Sequence, residues 1–96
     1  MGLGLEDIIY QLCTRRFHEE GLKRFPRHWR RYCRALVKRG ADVELAKLMV
    51  GTTNGWRTVP VLFHDKALLE ELLAKKTRRD QTMMLRRLAN VQETVQ

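Results

Sequence analysis

Pro26-Arg27-His28-Trp29-Arg30-Arg31-Tyr32-Cys33-Arg34-Ala35-Leu36-Val37-Lys38-Arg39-Gly40 is the stretch that decides the fold class. Pro26 lacks an N–H that the first turn of a helix leaves unbonded in any case, so it opens a helix without penalty. Gly40 closes it, because only glycine enters left-handed backbone freely. Between them Trp29, Tyr32, Cys33, Leu36 and Val37 recur at helical spacing as an apolar stripe. Arg27, Arg30, Arg31, Arg34 and Lys38 follow at i, i+3, i+4, i+7 and i+11. At about 100° per residue these five fall within an arc of about 100° on the opposite side. A helix at about 26–39 therefore offers one side to a core and a wholly cationic side to something else.

The same periodicity extends both ways. Upstream, Leu5, Ile8, Ile9, Leu12 and Phe17 share one face of a helix running to about Glu20, with Gly21 as its stop. Glu6 and Asp7 near its start and Arg15 and Arg16 near its end suit the helix dipole. Downstream, Asp42 caps a short helix carrying Val43, Leu45, Ala46, Leu48 and Met49, which Gly51 ends. Residues 51–60 read as the longest loop. Val59, Val61, Leu62 and Phe63 suit at most a brief strand, since Pro60 argues against a central one. Asp65 caps a further helix through Ala67, Leu68, Leu69, Leu72 and Leu73, and Asp80 either caps a fifth helix or sits within one long continuation. The expectation is an all-α, compact single domain over residues 1–96, built from four to five helices. In the last helix Met84, Leu88, Val91 and Val95 recur at 4-3-4 spacing with little after them to cover the seam. That makes residues 80–96 a candidate homo-oligomerisation element.

Composition narrows the function. The chain has 96 residues, 44% apolar and 31% charged, with a net charge of +8. That suits one folded domain rather than a disordered chain. Residues 15–39 hold ten basic residues against Glu19 and Glu20 alone, so this segment accounts for the whole surplus. No acid occurs between residues 21 and 41, whereas a merely solvated helix face mixes signs to gain pairing. The expected partner is nucleic acid, DNA ahead of RNA, held through phosphates by Arg27, Arg30, Arg31, Arg34 and Lys38. Trp56 and Arg57 in the 51–60 loop are the second candidate contact, although Trp56 suits a core plug as well as a base-stacking ring. A membrane partner is not expected: no apolar run approaches ~18 residues, and the apolar side of the basic helix is needed for the core. The alternative is a helical protein–protein interaction module whose basic face docks an acidic partner.

Part of the chain resembles a known family. From about Ile8 to Phe63 it is similar to the C-terminal part of the catalytic domain of tyrosine recombinases, the phage integrases. That family has a His-x-x-Arg motif opening a helix, a Gly-Ala/Val-Asp turn, a short helix and a Gly-His pair. Here His28-Trp29-Arg30-Arg31 stands at the first, Gly40-Ala41-Asp42 at the second, and Gly51 at the glycine of the last. The resemblance implies that His28 and Arg31 contact one backbone phosphate. Thr52 replaces the second histidine, and no tyrosine follows Tyr32, so the nucleophile is missing. The family's first arginine and its lysine lie upstream of the matching stretch and have no counterpart here. What the resemblance implies is therefore an inactive relative, or a piece of one, that keeps the phosphate-binding face without the reaction. Leu45-Ala46, Met49 and Gly51 also loosely follow a helix-turn-helix whose second helix would begin near Thr53.

Other chemistry finds little support. Cys13, His18, His28 and Cys33 form a symmetrical array, but a spacing of five sets residues about 140° apart on a helix, so neither pair shares a face. The cysteines read as small core residues, and no metal or cofactor is expected. No nucleophile has a base and an orienting partner at usable spacing, so the protein is expected not to be an enzyme. The segment Met1–Asp7 has no basic n-region, and two cysteines make no disulfide framework; the cytoplasm is the expected compartment.

Overall fold

The computed structural model describes residues 4–51 and 55–95, with side chains as far as Asn90. Among these residues there are six α-helices and one 3-10 turn, and no strand. The helices are α1 (Leu5–Glu19), α2 (Trp29–Lys38), α3 (Val43–Gly51), α4 (Thr58–His64), α5 (Lys66–Ala74) and α6 (Arg78–Val95), with the 3-10 turn at Gly55–Arg57. The all-α expectation stands, but with six helices in place of four to five.

Helix ends follow local chemistry. Gly21 and Gly40 have φ of +83° and +113°. Each completes a Schellman closure: Gly21 and Leu22 donate to the carbonyls of His18 and Phe17, and Gly40 and Ala41 to those of Val37 and Leu36. Asp42 caps α3, accepting from the Leu45 amide at 2.8 Å, and Asp65 caps α5 through the Leu68 amide at 3.2 Å. The start of α2 differs from expectation. Pro26 carries no helix; Trp29, Arg30 and Arg31 donate to the carbonyls of Pro26, Arg27 and His28 in a tight turn, and regular helix begins at Trp29. At α6 the cap is Thr77, whose hydroxyl accepts from the Asp80 amide at 3.1 Å, so Asp80 lies inside the first turn.

The largest departure is α4. Pro60 sits at its third position, where the backbone N–H has no acceptor in any helix, so the ring is tolerated. Val59 and Leu62, three apart, are fully buried, and the Thr58 hydroxyl donates to the Gly55 carbonyl at 2.7 Å. Tertiary burial of one helical face overrides β-branched propensity here. Of the expected 51–60 loop, residues 52–54 lie outside the described residues, as does the proposed start of a recognition helix at Thr53.

The core joins every helix. Ile9 and Cys13 from α1 meet Trp29, Cys33 and Leu36 from α2, and α3 adds Leu45, Ala46, Met49 and Val50. Val59, Leu62, Leu69, Leu72, Met84 and Leu85 close it from the C-terminal half. Phe25 anchors the α1–α2 connection, with ring centroids 5.3 Å from Phe17 and 5.1 Å from Trp29. In α6 the packed face runs through Gln81, Met84, Leu85, Leu88 and Ala89, against α3, α4, α5 and the 3-10 turn. Met84 and Leu88 of the expected seam therefore pack within their own chain; the side chains of Val91 and Val95 lie outside the described residues. No helix among the described residues is long and apolar enough to cross a membrane.

Candidate nucleic-acid interface

Position on α2 sorts its cations into two groups. Arg31, Arg34 and Lys38 fall within about 60° of arc and form an exposed ridge, which Arg27 continues on the preceding turn. Arg30 lies further round, toward α1. Its Nη1 donates to Asp7 Oδ1, and its guanidinium stands 4.4 Å from the Tyr10 ring centroid. Arg34 Nε donates to Glu6 Oε2 at 3.1 Å. The acidic first turn of α1 thus partly neutralises a helix that has no acids of its own. Arg27, Arg31 and Lys38 have no carboxylate partner among the described residues.

These two ion pairs do not close the site. The side chains of Arg30 and Arg34 keep 46% and 56% of their exposure, and exposed pairs of this kind are worth about 0–1 kcal/mol. An incoming phosphate can displace such a carboxylate at small cost.

On the other flank of α2, toward α4, lies a feature that sequence reasoning missed. Tyr32 packs its ring 4.6 Å from Phe63 and 5.5 Å from His64, and His28 stands 5.4 Å from Tyr32. Arg31 and Arg39 bring their guanidinium carbons to 6.0 and 5.4 Å from the Phe63 centroid, and Arg39 Nη1 donates to the Phe63 carbonyl at 2.9 Å. His28 and His64 are exposed, while Tyr32 and Phe63 are half-buried. Only the folding of 58–64 as a helix brings Phe63 and His64 here, and the sequence carries no local sign of that.

Trp56 and Arg57 are placed elsewhere. Trp56 is 4% exposed, with its ring 5.4 Å from Phe17 and 5.3 Å from Trp29, so it plugs the core and offers no face to a base. Arg57 lies over Trp56 at 5.1 Å and donates to Glu20 at 3.4 Å, tying the 3-10 turn to the end of α1. The structure does not bring these two to the α2 ridge.

Cys13 and Cys33 are both fully buried and meet each other in the core. The hydrogen bond with Cys33, together with burial, holds the Cys13 thiol far above the ordinary thiol range, so it supplies no thiolate. His18 and His28 lie exposed outside the core, and among the described residues no three potential metal ligands gather.

Comparison with protein-family models, with curated proteins and with solved structures finds no match to this chain.

Proposed function

We propose that this chain is a non-catalytic nucleic-acid-binding protein, DNA ahead of RNA, that holds its ligand through backbone phosphates on the α2 ridge. The observation that carries the reading is the exposed row Arg27, Arg31, Arg34 and Lys38, three of which have no carboxylate partner among the described residues. Three of these four are arginines, whose planar fork matches phosphate oxygens.

A salt titration of duplex binding tests it. Three open cations give a log–log slope of about −3, and displacement of Glu6 and Asp7 by phosphate raises it toward about −4 to −5. Replacing Arg31 and Lys38 together with Gln weakens binding to every sequence alike and flattens the slope by about 2. An unchanged affinity in that double variant overturns the reading, and binding only to an acidic protein replaces it with a docking module. The resemblance to tyrosine recombinases adds one expectation. His28 and Arg31, linked by the Arg31 amide on the His28 carbonyl at 3.1 Å, would cradle one particular phosphate. Arg31→Lys alone then harms binding more than Lys38→Gln does.

A further inference from the structure

The aromatic group beside the ridge is the feature that phosphate binding leaves unexplained. Residues 28, 32 and 39 lie about 90–130° round α2 from the centre of the ridge, so rings and cations run as two adjacent strips on one helix. Phe63 is half-buried and is not one of the residues of the packed core. Its neighbours are instead Tyr32, His64 and the guanidinium groups of Arg31 and Arg39. Arg39 is fixed to the Phe63 carbonyl at 2.9 Å, which joins α2 to the end of α4 and sets the height of the rings against the ridge.

A surface of this kind recognises flat π-systems joined by phosphates. In a duplex the base faces are covered by their neighbours, and only phosphates and groove edges reach a protein. Rings beside a phosphate ridge gain a contact only when the bases are unstacked, as in a single strand. We propose that Tyr32, Phe63 and His64 form a stacking platform, and that the preferred ligand is single-stranded nucleic acid lying across α2 and the end of α4. The proposal rests on the phosphate reading of the ridge and adds the state of the ligand to it.

The test compares a fluorescein-labelled deoxythymidine oligomer with a duplex of equal length, by anisotropy at one salt concentration. The wild-type chain binds the single strand more tightly. In the Phe63→Leu/His64→Ala double variant the ratio of single-strand to duplex affinity falls by at least about fivefold, the loss of one stacked base. His64→Ala alone, at an exposed helix end, lowers the ratio in the same direction without threatening the fold. Short-wave ultraviolet irradiation of the wild-type complex adds a readout that needs no variant: thymine adducts map to Tyr32, Phe63 or His64. Equal affinity for both ligands, with adducts elsewhere, overturns the platform but leaves the ridge standing if Arg31→Gln/Lys38→Gln still weakens both. Failure of both ligands to bind removes both readings.

Discussion

On the proposed reading, Glu6 and Asp7 occupy in the free protein places that a phosphate would take. Each sits against an arginine of α2, so their removal acts on binding with the opposite sign to removal of a cation. The Glu6→Gln/Asp7→Asn variant is expected to bind nucleic acid up to about fivefold more tightly per pair, with a salt slope steeper by up to about 2. Asn at 7 keeps an oxygen for the Gly4 amide, which Asp7 accepts at 3.2 Å, so the start of α1 survives. Unchanged affinity and slope in a salt titration would show that Arg30 and Arg34 take no part. Trp56 gives a second residue-level expectation. Its buried indole N–H has no hydrogen-bond partner among the described residues. Trp56→Phe therefore loses ring volume but no hydrogen bond, while Trp56→Ala empties the centre of the Phe17/Trp29 cluster. Chemical denaturation should give a loss of about 3–5 kcal/mol for alanine and clearly less for phenylalanine. Equal losses would mean that the indole N–H is satisfied after all.

Asp42 joins two helices. One carboxylate oxygen caps α3 through Leu45 and the other accepts from Arg78 of α6, both at 2.8 Å. The Leu45 amide first, and then Arg78, hold its pKa below the ordinary 3.8. A carboxylate depressed in the folded state contributes stability that is complete above its unfolded value and is lost as pH falls through the folded one. Its side chain is 57% exposed, which keeps that contribution small. Asp42→Ala should cost about 1 kcal/mol at neutral pH as a lost cap. Asp42→Asn, which can still accept from Leu45, should show a shallower fall in stability below pH 4 than wild type. Identical acid unfolding curves for Asp42→Asn and wild type would assign the acid sensitivity to another carboxylate. The element scale also shows what the sequence could tell. Asp42, Asp65, Gly21 and Gly40 mark helix ends through bonds to residues at most five away, so they were legible. Residues 58–64 were not, because Thr58, Val59 and Leu62 become helical by burial against distant helices. The Arg30–Asp7 and Arg34–Glu6 pairs were hidden for the same reason: they join residues 23 and 28 positions apart. The α2 ridge was visible as a charge pattern, but its neutralised edge and its aromatic flank belong to the tertiary fold.

At the scale of the whole molecule, most of the charge lies on helices locked by the core, but part lies between helices. Residues 22–28 connect α1 to α2 without regular helix. Within them Phe25 is the buried hydrophobic anchor, while Lys23, Arg24 and Arg27 stand exposed. A protease that cleaves after basic residues needs an extended, accessible chain, and this connector offers three such bonds in five residues. Brief trypsin treatment should cut here before it cuts within α1 or α2. The nicked protein should still migrate as one particle, because α1 packs against α2 and α3 independently of the connection. Arg27 also begins the ridge, so a bound oligonucleotide should slow cleavage after Arg27 more than cleavage after Lys23. A digestion pattern that is indifferent to the oligonucleotide would place the ligand away from this end of α2. The strap between the first two helices thus serves as a reporter, turning occupancy of the ridge into a difference between bands on a gel.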